Sequence, residues 1–112
     1  LYTGGTNLNA GSITVGNDAA LGTGTLTMAG GTSLIAGVDP LTLGNAIVLN
    51  GAAAVDGGAG LVTLDGVISG SGGLTKIGSG TLVLNGDNSY EGGTSVGAGT
   101  VVVGTSTALG TG

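Results

Sequence analysis

The chain contains no cysteine, histidine, tryptophan, phenylalanine or arginine, and only one lysine, one proline, one methionine and two tyrosines. Without cysteine there is no disulfide and no thiol chemistry. Lys76 stands alone against six acids, Asp18, Asp39, Asp56, Asp65, Asp87 and Glu91, giving a formal net charge of −5. No basic patch can therefore neutralise phosphate, which excludes a nucleic-acid partner. An anionic membrane surface is disfavoured for the same reason. No apolar run approaches the roughly 20 residues of a membrane-spanning helix. No secretory leader is present and neither end reads as a natural terminus, so a segment of a longer protein is expected. The scarcity of aromatic bulk argues against a wide core. A core one or two side chains across needs none, which favours a narrow solenoid over a sandwich or barrel.

What is present is glycine, 28 of 112 residues, on a background that is 40% hydrophobic with a mean hydropathy of +0.56. That much glycine suits a disordered linker, but disorder goes with low hydrophobicity and high charge, and this chain has the reverse. Short Val, Leu, Ile and Thr runs cut by Gly, Asn and Asp predict strands joined by tight turns. The runs are 25–28, 33–36, 41–43, 46–49, 53–56, 61–64, 74–77 and 81–84, and no stretch has helical period with caps. The expected fold is all-β, a single segment over 1–112, and strand after strand without a crossover helix suggests either antiparallel hairpins or a coil of three short strands per turn.

An internal repeat sharpens this reading. Residues 1–24 and 89–112 align without gaps at an offset of 88, with 13 of 24 positions identical. Leu8/Val96, Ile13/Val101 and Val15/Val103 stay apolar, whereas Thr14/Val102, Asn7/Ser95 and Thr3/Glu91 exchange character. The first set should face inward and the second outward, the period-2 signature of a strand. Gly4, Gly5, Gly11, Gly16, Gly22 and Gly24 recur at turns. At roughly 20–25 residues per coil, the repeat unit should span about four turns and the chain about five. A whole number of turns would stack each unit on the next without change of face.

Residues 70–104, GSGGLTKIGSGTLVLNGDNSYEGGTSVGAGTVVVG, carry a longer pattern. It runs through Gly72, Gly73, Leu74, Thr75 and Lys76, then Gly78, Gly80, Thr81, Leu82, Leu84 and Gly86. It continues through Asn88, Tyr90, Gly92, Gly93 and Thr94 to Ala98, Gly99 and Thr100. This segment resembles the autotransporter-associated β-strand repeat, also called the passenger-associated transport repeat. A partial second copy covers 2–16, and 25–66 agrees only in style. The resemblance implies a passenger domain of Gram-negative type V secretion. It further implies a right-handed parallel β-helix displayed outside the outer membrane, and a repeat that aids transport and folding. The family has no catalytic residues, so the resemblance implies no enzyme and no cofactor. The expected partners are neighbouring repeats in tandem, with end-to-end self-association; a host or matrix glycan or protein is the alternative.

Other candidate sites are weaker. Gly57-Gly58-Ala59-Gly60-Leu61-Val62 begins like the calcium nonapeptide, but Val62 stands where a carboxylate ligand is required, so no metal site is expected. Asp56 and Asp65 could pair as in polysaccharide lyases or hydrolases; each precedes Gly and reads better as a turn former. Thr23, Thr25 and Thr27 could start an ice-binding rank, yet Thr is simply a good strand residue. Lys76 is expected to lay its stem over apolar surface with the ammonium in solvent near Asp87 or Asp65. Tyr90 and Tyr2 should fold over a rung with their hydroxyls at the surface. Asn45, Asn50, Asn85 and Asn88, at strand ends, could stack as ladders.

Overall fold

A computed structural model describes residues 5–16 and 24–104. The described residues form thirteen short strands and no helix. In chain order these are β1 Thr6–Leu8, β2 Ser12–Val15, β3 Leu26–Met28, β4 Ser33–Ala36, β5 Leu41–Leu43, β6 Ile47–Leu49 and β7 Ala53–Asp56. They continue with β8 Leu61–Leu64, β9 Ile68–Ser69, β10 Leu74–Ile77, β11 Thr81–Leu84, β12 Thr94–Val96 and β13 Thr100–Val103. All eight runs expected from the sequence are strands. The two-residue β9 was not foreseen, because Gly70 ends it before an alternation can be read.

Every pairing is parallel, and the strands sort into three sheets. The first is ordered β1-β3-β6-β9, the second β2-β4-β7-β10-β12 and the third β5-β8-β11-β13. From β3 to β11 consecutive strands lie in successive sheets, so the chain winds as a coil rather than folding into hairpins. It makes about four turns. Five were expected for the whole chain; the described span is shorter than that.

The register gives the length of a turn. In the second sheet Ser12, Ser33, Ala54, Thr75 and Ser95 stand in one column, each one turn beyond the last. The side-chain hydrogen bonds that join successive coils have a similar spacing, 20 to 22 residues. Inward positions form aliphatic columns. Leu26, Ile47 and Ile68 line one sheet, Ile13, Leu34 and Val55 the next, and Leu43, Leu64 and Leu84 the third. Of these only Ile13 is not fully buried. Outward neighbours such as Thr27, Ile35 and Val83 stay half-exposed, the alternation a one-sided strand imposes. Aliphatic residues within a column are covered by neighbouring rungs, so burial is shared between turns.

The repeat pairs fit this scheme in part. Val15 is buried, and Leu8, Ile13 and Val101 pack against the core. Val96 and Val103 share columns with inward residues but are about half exposed, 52% and 47%. They lie on the last described rung, where no further rung is described to cover them.

The expectation that the repeat keeps its face is overturned. Four turns on from Ser12 its column reaches Ser95, whereas the repeat offset carries Ser12 to Thr100. The equivalent of β1 is β12, yet β1 lies in the first sheet and β12 in the second. Likewise β2 lies in the second sheet and its equivalent β13 in the third. The corner loops set the length of a turn, and no whole number of such turns matches the repeat offset.

Candidate functional site

The motif residues wrap rather more than one full turn. Gly72 and Gly73 lead into β10, which carries Leu74, Thr75 and Lys76; Gly78 and Gly80 form the corner before β11, with Thr81, Leu82 and Leu84. Gly86, Asn88 and Tyr90 follow in an extended stretch that takes the place of a strand over β9. Gly92 and Gly93 turn into β12 at Thr94, and Ala98 and Gly99 turn into β13 at Thr100.

The corners are tight because backbone is stacked directly on backbone. A Cβ on Gly72 would lie 2.0 Å from the carbonyl oxygen of Gly51 in the turn below. Gly11 and Gly99, equivalent positions in the two copies, both have positive φ, 76° and 72°, a region in which only glycine is unstrained.

Asn88 and Tyr90 build the stretch over β9. Asn88 is buried, and its Oδ1 accepts a hydrogen bond of 2.9 Å from the Ile68 amide one turn below. The Ser89 amide donates to the Ile68 carbonyl at 2.8 Å and the Glu91 amide to that of Gly70 at 3.1 Å. Tyr90 thus stands over Gly70, in the column that holds Met28 and Leu49 below. Its ring is fully buried in the aliphatic core, at the rung where the residue beneath has no side chain. Its hydroxyl hydrogen-bonds the Thr94 Oγ1 across the corner. Burial raises the Tyr90 phenol above its ordinary 10.0, and the bond to Thr94 offsets part of this. The surface hydroxyl expected for Tyr90 is therefore replaced by an internal one; Tyr2 lies outside the described residues.

Lys76 departs further from expectation. It is 1% exposed and occupies the inward column of Leu34 and Val55. Its Nζ donates to the carbonyls of Ile77 and Gly78, both at 2.9 Å, rather than reaching solvent or the carboxylates of Asp65 and Asp87. The strand alternation places residue 76 inside; the stem fills the core, and the corner carbonyls receive the charge.

Asn45, Asn85 and Asn88 join coil to coil through their side chains. Asn45 Nδ2 donates to the Gly24 carbonyl at 2.7 Å, and Asn85 Nδ2 to Asp65 Oδ1 at 2.8 Å. With Asn88 to Ile68, these bonds span 21, 20 and 20 residues, one turn each. Among the described residues no buried side-chain nitrogen or oxygen lacks a partner.

Asp56 is held in its own turn and Asp39 by the next coil. Asp56 Oδ1 accepts from the Gly58 amide at 2.8 Å, as its turn-forming reading requires, and Asp39 Oδ1 accepts from the Leu61 amide at 3.0 Å. Val62, where the nonapeptide would need its carboxylate, is buried in the core. No cluster of three or more potential metal ligands occurs among the described residues. The outward column of the first sheet reads Asn7, Thr27, Val48, Ser69, which makes no threonine rank and fits the plain strand reading. Thr23 lies outside the described residues. A cleft of about 300 Å³ at the glycine corner, lined by Gly51, Ser71, Gly73, Gly93 and Ser95, carries no charged side chain.

Residues 74–103 and 1–15 match the family model of the passenger-associated transport repeat. Together these stretches make up less than half of the chain; they are similar to that repeat, and their described residues lie in a parallel β-solenoid. The two matched stretches end at residues 15 and 103, at the same offset as the repeat read from the sequence. The coils between them lie outside the matched stretches yet continue the same columns without a break. Searches of curated proteins and of solved structures return no match.

Proposed function

We propose that this chain is a structural segment of a secreted, surface-displayed passenger, a stretch of stalk or fibre whose rung-by-rung stacking helps the passenger fold and cross the outer membrane. The observation that carries this reading is the continuity of the buried columns. They pass through the repeat motif and through the coils outside the matched stretches alike, so each turn is a template for the next. The motif's distinctive residues, Asn88, Tyr90 and Lys76, are all spent inside the coil or on its corners. A chain leaving a pore could add turns to such a stack one at a time, and burial of each turn would oppose its return. Low charge and the absence of cysteine ease threading. The glycan-binding alternative rested on clustered Tyr, Asn and Asp at the surface, and Tyr90 and Asn88 are not there.

The test is an in-frame deletion of one repeat unit, residues 1–88, from the displayed parent protein, scoring intact passenger at the cell surface. A drop of about tenfold or more in display is expected. Unchanged display would show that the unit is a spacer and would refute the transport role.

A further inference from the structure

The two copies of the repeat stand on different faces of one continuous coil. Asn7 belongs to the first sheet, and its equivalent Ser95 to the second, in the column of Ser12, Ser33, Ala54 and Thr75. The second copy of Asn7 therefore lies four turns above Ser12 rather than above Asn7 itself, and the step from Asn7 to Ser12 is one face of the coil. From these registers we infer that successive units join end to end with a turn of one face, so that the rung of β12 and β13 is a docking surface for the next copy of this unit in a rotated register.

The inference rests on the stacked reading above. Its occupant follows from sequence identity. β12 and β13 repeat β1 and β2 in sequence, so what covers them in a tandem parent should repeat what covers β1 and β2 here. β3 pairs with β1, and β4 with β2. The next unit's β3 therefore lies on β12, and its β4 on β13, bringing cover to the half-exposed Val96 and Val103. The first sheet of one unit is continued by the second sheet of the unit before it. Each unit rises about 20 Å and turns by one of three faces, and three units, about 60 Å, restore the starting face. No side of such a rod presents the motif alone; the same surface recurs on all three sides.

The chain has no cysteine, so introduced pairs report register directly. The chain is extended at its end by a second copy of residues 25–112. Ser95→Cys is combined either with Thr27→Cys or with Ser33→Cys of the second copy. In-register outward residues on neighbouring strands lie within disulfide reach. The rotated joint predicts at least a tenfold higher yield for the Thr27 pair, and a rod about 20 Å longer by X-ray scattering. A longer rod in which the Ser33 pair links instead would overturn the rotation and leave the stacked rod intact. No gain in length would overturn both. In the unextended chain, Thr75→Cys with Ser95→Cys should link, and a preferred link between Ser69→Cys and Ser95→Cys would overturn the one-face step without any extension.

Discussion

Alanine at position 72 would force its Cβ to 2.0 Å from the Gly51 carbonyl oxygen, and neither atom is at the end of a flexible side chain. The corner must open, and Gly72→Ala should cost about 2–3 kcal/mol, the scale of an overpacked site. Gly44→Ala meets nothing within 4 Å and should change the urea midpoint little. Lys76 separates stem from charge. Lys76→Met keeps the core filled and removes a buried ammonium, so it should stay within about 1 kcal/mol of the parent. Lys76→Ala leaves a void and should cost about 2–4 kcal/mol. Equal losses in both would show that the bonds to Ile77 and Gly78 dominate. Tyr90 supplies a pH dependence. Burial raises its folded phenol above the ordinary 10.0, so the folded state holds the proton more tightly than the unfolded chain. The stabilisation is complete below about pH 10 and lost above it as the unfolded chain ionises. Wild type should lose more stability than Tyr90→Phe above about pH 10, with no such difference between about pH 7 and 9; identical alkaline slopes would contradict this.

Within a strand, alternation decides cost. In β11, Leu82 and Leu84 are fully buried while Val83 faces out. Leu82→Ala should cost about 2–5 kcal/mol, and Val83→Thr under about 0.5 kcal/mol, both readable from denaturant midpoints. Alternation is also what made the fold legible. The strand cores and most inward columns follow from period 2 alone. Lys76 and Tyr90 lie inside because the period, and not their polarity, sets the face. Leu74 and Lys76 share a face of β10, so the pattern already put residue 76 inside. Asn88 shows in the sequence as a motif residue and a strand-end asparagine, but its role does not, since its partner, the Ile68 amide, is 20 residues away.

At the scale of the whole coil, what the sequence hides is rotation. The repeat offset is plain in the residues, but the face on which a copy lands depends on corner lengths. Bonds from one coil to the next span 21 residues at Asn45 and 20 residues at Asn88. Small differences per turn, summed over four turns, move a motif to another side. The central claim is that the molecule is a stack of interchangeable turns. Removing residues 46–66, one circuit holding β6, β7 and β8, tests it most directly. β9 would then meet β3, β10 would meet β4, and β11 would meet β5, in the register the missing strands now provide. The account predicts a shorter coil that keeps its sheet circular dichroism and unfolds cooperatively at somewhat lower urea, whereas removing only residues 46–56 abolishes folding. A chain that unfolds in the first case, or tolerates both deletions equally, would contradict it.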